Sequence, residues 1–259
     1  MLGQRSMACA VLGLAVSLAC AQDTKKELQR YQQMISEGSP VELFELQGEA
    51  LWKQSFGKCD LGLGPGVVKG AYARLPRYFA DADRVMDLES RLVHCMTTLQ
   101  SRTREDATRR VFGTEDQPSE LELLSAYVAG QSRGARLAPG MQHAREKESF
   151  ELGRKLFFYR AGAWDFSCAS CHGDEGKRIR MQDLPVLYRP EFARPVMATW
   201  PAYRVSNSQF KTMQWRLNDC YRQMRMPEPN FGSDATVALT VFLTETARGE
   251  PYRGPGTKR

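Results

Sequence analysis

The stretch Cys168-Ala169-Ser170-Cys171-His172 decides the fold of this chain of 259 residues. Its C-x-x-C-H spacing is typical of covalent haem attachment: two thiols form thioethers to the haem vinyl groups, and the adjacent histidine ligates the iron. The alternatives are a redox-active or a zinc-binding C-x-x-C. No further Cys or His follows at zinc-ligand spacing, and the βαβ context of a thioredoxin-like site is missing. Because the motif occurs once, we expect one haem c, held by Cys168, Cys171 and His172.

Predicted helices flank this motif on both sides. One covers about residues 150–159 and contains Gly153, and the last covers about 234–247 and is rich in Val, Leu and Phe. In cytochromes c the first and last helices cross at a small residue, which Gly153 would supply. The sequence therefore predicts a class I cytochrome c-like domain over residues 141–259.

The N-terminal half of the chain repeats the C-terminal half. The matched positions are collinear, and the changing offset indicates insertions in loops. They include the pairs Gly48 and Gly153, Pro76 and Pro201, Arg91 and Arg216, Cys95 and Cys220, and Tyr127 and Phe242. We therefore expect a second cytochrome c-like domain over residues 22–140, with a linker at 131–141. The predicted fold class is all-α, with two tandem class I cytochrome c-like domains.

The first of these domains has lost its haem site, according to the sequence. Where the motif would lie, the chain reads Lys58-Cys59-Asp60-Leu61-Gly62, with one cysteine and no histidine. Cys95 occupies the position of Cys220 in the repeat, so a Cys59–Cys95 disulfide would join the two segments that iron joins in the second domain. Such a bond is worth roughly 4 kcal/mol from loop entropy. The alternative is two buried free thiols.

The N-terminus predicts export from the cytoplasm. Arg5 precedes an apolar run over 8–19, and Ala19-Cys20-Ala21 forms a cleavage site, so we expect a signal peptide over residues 1–21 and a periplasmic protein. The run is too short for a membrane span, and acylation at Cys20 is a weaker alternative. An apolar content of 42% and a net charge of +6 exclude disordered, collagen-like, coiled-coil and polytopic membrane classes. No Lys/Arg block indicates binding to nucleic acid.

The distal ligand of the haem iron has several candidates. Cys220 is the thiol left over after haem attachment and disulfide formation. Arg216 lies four residues earlier on the same helical face, where a guanidinium would stabilise a thiolate or bind an oxyanion. Met226, followed by Pro227, is the alternative ligand at the spacing that methionine-ligated cytochromes use. The other candidates are Met213, Met224 and His143; we expect His143 and His94 to be surface or packing residues.

The stretch Met213-Gln214-Trp215-Arg216-Leu217-Asn218-Asp219-Cys220-Tyr221-Arg222-Gln223-Met224-Arg225 resembles the signature of the SoxA family. SoxA is the larger subunit of the SoxAX cytochromes of sulfur oxidation. The resemblance implies that Cys220 ligates the active-site haem, commonly as a persulfide, and that Arg216 belongs to the active site. Many members carry a second haem in the N-terminal domain, whereas this chain resembles the single-haem branch. Arg248 is the candidate for a further active-site arginine of the family.

The resemblance implies an L-cysteine S-thiosulfotransferase, which joins thiosulfate oxidatively to a cysteine of the carrier protein SoxYZ. Cys220 and Arg216 would be its catalytic residues. Two electrons leave in this reaction and a haem takes one at a time, so we expect a heterodimer with a monohaem SoxX subunit and an electron-accepting cytochrome c. Two alternatives remain: an electron-transfer cytochrome with Met226 on the iron, and a thiosulfate dehydrogenase that forms tetrathionate.

Overall fold

The structure, a computed structural model, describes residues 38–114, 117–179 and 182–258. The predicted signal peptide at 1–21 and the predicted start of the first domain lie outside the described residues, so both stay predictions. Within the part of the chain that is described, no helix has the length and apolar character needed to cross a bilayer.

Over residues 38–114 and 117–140, the N-terminal half contains four α-helices and one hairpin. Capping side chains start these helices: Ser39 precedes Pro40 in the first, and Ser119 and Glu122 form a capping box at the fourth. The elements are α1 (Pro40–Leu51) with a π-helical turn (Trp52–Phe56), a 3-10 turn (Tyr72–Arg74), β1 (Arg77–Phe79), β2 (Arg84–Met86), α2 (Leu88–Leu99), α3 (Arg104–Thr108) and α4 (Glu120–Gly130).

The C-terminal half repeats this helical plan and adds strands. Its elements are α5 (Ala144–Phe158), α6 (Cys168–His172), β3 (Arg178–Ile179), β4 (Gln182–Asp183), α7 (Pro190–Met197), β5 (Ala202–Arg204), a 3-10 turn (Val205–Asn207), β6 (Gln209–Lys211), α8 (Met213–Gln223), α9 (Asp234–Thr246) and β7 (Gly256–Lys258). Strand β5 pairs antiparallel with β6 and parallel with β7.

The fold is therefore helical but not purely α. In the part of the chain that the structure describes, three small sheets, β1-β2, β3-β4 and β6-β5-β7, lie between the helices. Each strand has only two or three residues, which is too short for an alternating pattern to be visible in the sequence. The prediction of an all-α fold is wrong in this respect, and right in that helices form both cores.

The same helix crossing occurs in both halves. A Cβ atom at Gly153 of α5 would lie 2.0 Å from the carbonyl oxygen of Ala238 in α9. A Cβ atom at Gly48 of α1 would lie 2.0 Å from the carbonyl oxygen of Leu123 in α4. Only glycine allows the two backbones to approach this closely. The predicted crossing at Gly153 is confirmed, and its counterpart lies at the position that the repeat indicates.

The segment predicted as a linker packs tightly against the end of the chain. The amide of Gly134 donates to the carbonyl of Tyr252 at 2.8 Å, and the amide of Tyr252 donates to Ala135 at 2.8 Å. Leu137 is buried among side chains of the C-terminal core. These contacts join the two halves along a shared interface.

Cys59 and Cys95 form a disulfide, with their Cα atoms 5.6 Å apart. Both residues are buried in the N-terminal core. The alternative of two free thiols is thus wrong. Arg91 connects the same two segments a second time, because its Nε donates to the carbonyl oxygen of Asp60 at 2.6 Å.

Candidate haem site

The C-x-x-C-H motif forms a short helix with its own cap. Ser167 precedes α6, and its Oγ accepts from the amide of Ser170 at 3.2 Å, while the Oγ of Ser170 accepts from the amide of Ser167 at 2.9 Å. This reciprocal pair is a capping box. It fixes the backbone that presents Cys168, Cys171 and His172 together.

One ring nitrogen of His172 is hydrogen-bonded to the backbone, which leaves the other available to a metal. Its Nδ1 lies 2.8 Å from the carbonyl oxygen of Pro185. A hydrogen bond at one ring nitrogen determines which nitrogen is available for a metal, so Nε2 is the nitrogen left available. Burial lowers the pKa of His172, and Arg216 adds to this effect against the opposing bond to Pro185. The ring is therefore kept in the neutral form that ligates a metal.

The motif lines a cavity of about 530 Å³, here called the central cavity. This volume lies in the range of cofactor pockets in proteins. Its walls are largely apolar and come from helices on both sides of α6. They include Phe157, Met197, Trp200, Met213, Leu217, Leu239 and Leu243. An apolar wall for a macrocycle, two thiols for thioethers and a histidine at one side fit haem c.

Helix α8 brings Cys220 and Arg216 to the same central cavity. Thr212 is the N-cap of this helix, and its Oγ1 accepts from the amide of Trp215 at 3.3 Å. Burial raises the pKa of the Cys220 thiol, and the charges of Arg216 and Arg204 oppose this rise. Burial is the larger effect, so the arginine predicted to stabilise a thiolate does so only in part. Coordination to iron would supply the rest, since a metal deprotonates a ligating thiol.

Of the other candidates for the distal ligand, some line the central cavity and some do not. Met213 and Met224 line the central cavity with Cys220, whereas Met226 is not among the described residues of its wall and packs against Gly162. His143 caps α5 and stacks on Tyr78 with ring centroids 3.7 Å apart.

His94 forms a contact of 3.4 Å with Asp81. Both histidines are therefore packing residues, as the sequence indicated.

Sequence reasoning missed two cations of the central cavity, Arg204 and Lys258. They are partners in the parallel register of β5 and β7. The Nζ of Lys258 donates to the Oγ1 of Thr199 at 2.7 Å. Burial, with Arg204 and Arg216, lowers the pKa of Lys258 to about 8. No local signal could have found Lys258, because strand pairing brings it to Cys220 from a distant part of the sequence.

Arg248, the candidate for a further active-site arginine, lies elsewhere. Its guanidinium bonds Glu245 at 2.8 Å and the carbonyl of Pro139 at 2.6 Å. It lines a separate surface cleft with Phe150 and Arg194. The described residues of the central cavity do not include it.

A haem-attachment helix under an apolar cavity, with a fixed histidine on one side, places the chain in the class of c-type cytochromes. The family model described as "SoxA/TsdA, cytochrome c domain" matches residues 47–137 and 152–252. An L-cysteine S-thiosulfotransferase subunit SoxA from Hydrogenophilus thermoluteolus is 45% identical, over 98% of this chain and 97% of that protein. A subunit of the same name from Hydrogenobacter thermophilus is 33% identical, over 84% and 83%. The chain belongs to the SoxA family.

A solved structure has the same fold. The crystal structure of SoxXA from P. pantotrophus matches with a TM-score of 0.65 and covers 85% of this chain and 79% of that chain. The two sequences are 20% identical. At this identity the match is informative about the cytochrome fold alone.

Proposed function

We propose that this chain is the catalytic subunit of an L-cysteine S-thiosulfotransferase. It conjugates thiosulfate oxidatively to a cysteine of the carrier protein SoxYZ. One observation carries the proposal: Cys220 lines the same cavity as Cys168, Cys171 and His172. The 45% identity to an enzyme subunit of this name supports it.

The residues of the site have two roles: two attach the haem to the chain, and two ligate its iron. Cys168 and Cys171 would hold one haem c covalently, and His172 and Cys220 would ligate its iron. When bound, the haem accepts electrons one at a time. The first domain, over residues 22–140, holds no haem, since Cys59 is consumed in the bond to Cys95 and no longer offers a thiol for a thioether.

The cations of the central cavity bind the substrate. Thiosulfate is a dianion, and its transfer into an apolar cavity costs free energy unless positive charge offsets it. Arg216, Arg204 and Lys258 supply that charge on the side of Cys220 and orient the oxygens, which leaves the terminal sulfur toward the ligand sulfur. A bond then forms between this terminal sulfur and the sulfur of the carrier cysteine. The reaction releases two electrons and the thiol proton.

The electrons leave through partners. A SoxX-type monohaem subunit would take up the second electron, so the working form is a heterodimer that delivers electrons to an electron-accepting cytochrome c. A relative that is 45% identical is named as a subunit of its enzyme, which supports such a partner. The predicted signal peptide supports a periplasmic location.

The substitution Cys220→Ala tests the proposal in the haem-loaded chain. We expect covalent haem to remain, the ferric spectrum to change, and conjugation of thiosulfate to SoxYZ to be lost. Met224→Leu is the matched control, because Met224 lines the same cavity and should leave the spectrum unchanged.

If Cys220→Ala left both the ferric spectrum and the conjugation unchanged, a methionine would be the iron ligand and the chain would be an electron-transfer cytochrome. Tetrathionate formed at the full rate without SoxYZ would instead indicate a thiosulfate dehydrogenase.

A further inference from the structure

Three buried acidic side chains of the N-terminal half bond to residues at the start of α8 or just before it. Asp87, Glu89 and Glu122 are only 2%, 5% and 1% exposed. Acidic side chains are almost never buried to this degree unless they have partners. Asp87 and Glu122 also bond residues of their own half, but each of the three acids has a partner within residues 211–214, next to the N-cap of the helix that carries Cys220.

Gln214 is bonded on both its backbone and its side chain. Its Nε2 donates to the Oδ2 of Asp87 at 2.6 Å, and its amide donates to the Oε1 of Glu89 at 3.1 Å. The first amides of a helix have no partner within the helix. Glu89 therefore supplies from the other half of the molecule an acceptor that a helix usually finds locally. The Oε1 of Gln214 in turn accepts from the amide of Gly232 at 3.3 Å.

Lys211, on the other side of the N-cap, is held in the same way. Its Nζ bonds the Oε1 of Glu122 at 3.1 Å, and both side chains are almost fully buried. The same Nζ lies 5.1 Å from the ring centroid of Trp215 in the first turn of α8. Residues before and after the cap at Thr212 are thus both fixed by acids of the N-terminal half.

The repeat explains this arrangement. Helices α2 and α8 are equivalent, with Asp87 matching the cap Thr212 and Glu89 matching Gln214. The equivalent first turns of the two helices face each other across the interface. Helix α2 is the counterpart of α8, the helix that carries the proposed ligand Cys220. In place of a haem ligand, its first turn and N-cap supply acidic side chains that bond to α8.

We propose that Asp87, Glu89 and Glu122 are positioning residues for the active site: they fix the first turn of α8 and thereby the place of the Cys220 sulfur and the Arg216 guanidinium. The inference rests on the proposed role of Cys220. An α-helix transmits a displacement of its first turn along its length, and Cys220 lies about 9 Å along the axis from Gln214. A displacement of about 1 Å at a reacting group costs up to about 100-fold in rate.

The test is Glu89→Met in the haem-loaded full chain, compared with Glu146→Met. Glu146 is the matched control, since it is also a buried carboxylate that joins the two halves. Its Oε1 accepts from the amide of Tyr78 at 2.7 Å and its Oε2 from His143 at 2.9 Å, away from α8. The readouts are thermal unfolding, the low-spin EPR spectrum of the ferric haem, and kcat and KM for thiosulfate.

We expect both variants to retain covalent haem and to lose thermal stability. Only Glu89→Met should also broaden or split the ferric EPR signal and lower kcat by about 10- to 100-fold, with a smaller change in KM. Glu89→Gln keeps an acceptor oxygen in the same place and should restore both. If Glu89→Met does not fold, Lys211→Met removes the bond to Glu122 on the other side of the N-cap and should alter the EPR signal likewise.

Identical EPR signals and kcat values in the Glu89 and Glu146 variants would overturn the inference. The proposed function is tested separately by Cys220→Ala. If that variant changes the spectrum while Glu89→Met and Lys211→Met do not, the ligand assignment stands and the positioning role fails.

Discussion

Arg204 and Lys258 lie side by side on the paired strands β5 and β7, and both side chains line the central cavity that holds Cys220. Burial removes water from the Lys258 ammonium, and the like charges of Arg204 and Arg216 add repulsion, so the pKa of Lys258 falls to about 8. An anion bound between them would offset both costs.

The first prediction concerns this lysine. Lys258→Met should raise the KM for thiosulfate by about tenfold, because a hydrogen bond from a charged group is worth about 1.5 kcal/mol or more. Lys258→Arg should restore most of the affinity. A Lys258→Met protein with unchanged KM but a shifted haem potential would assign the lysine to a carboxylate of the haem instead.

The pH dependence of thiosulfate use follows from the same residue. Lys258 binds an anion only in its protonated form, and burial places its pKa near 8 instead of the usual 10.5. The KM for thiosulfate should therefore be constant below about pH 7 and rise as the pH passes through 8. The Lys258→Arg variant keeps its charge and serves as the control. A rise of the same size in that variant would show that another group titrates.

Arg216 and Arg222 offer a matched pair on α8. Both guanidinium groups bond the carboxylate of Asp219, at 2.9 Å and 2.6 Å, but only Arg216 lines the central cavity. Arg216→Ala should weaken thiosulfate use about tenfold or more and leave the ferric spectrum largely intact, since the cation contacts substrate rather than iron. Arg222→Ala should change neither. Steady-state kinetics with SoxYZ would show the difference, and equal losses in both variants would point to Asp219 instead.

Local sequence patterns predicted the parts of the site that depend on neighbouring residues. The motif at Cys168, the helix crossing at Gly153 and the thiol at Cys220 each depend on spacing within a few residues or on the internal repeat. The Cys59–Cys95 disulfide followed from the same repeat, because equivalent segments stay close in equivalent folds.

The rest depends on contacts between distant segments. Lys258 reaches the cavity only through the register of three-residue strands. Glu89 meets Gln214 only because the two halves pack with their equivalent helices facing. Met226 looked like a ligand from its neighbour Pro227, yet the cavity wall holds Met224, and no local pattern distinguishes the two.

The Cys59–Cys95 disulfide stabilises the N-terminal half. Replacing Cys59 and Cys95 together by Ala should lower the free energy of unfolding by roughly 4 kcal/mol, as expected for a sequence separation of 36 residues. The ferric haem spectrum should not change, because neither residue lines the central cavity. Denaturant unfolding followed by circular dichroism measures the loss. Mass spectrometry of unreduced peptides from the parent should show the two cysteines linked, and free thiols there would contradict the pairing.

The last prediction concerns the crossing of α5 and α9. Gly153→Ala adds a methyl group that would lie 2.0 Å from the carbonyl oxygen of Ala238, a backbone atom that cannot move without moving its helix. Alanine favours a helix by about 1 kcal/mol over glycine, but overpacking a fixed backbone contact costs more. We therefore expect a net loss of about 2 kcal/mol in the free energy of unfolding. Gly57→Ala is the control, because a Cβ there meets nothing within 4 Å and its φ of −59° suits alanine. Equal stability of the two variants in denaturant would mean that the helices do not approach as closely as the structure shows.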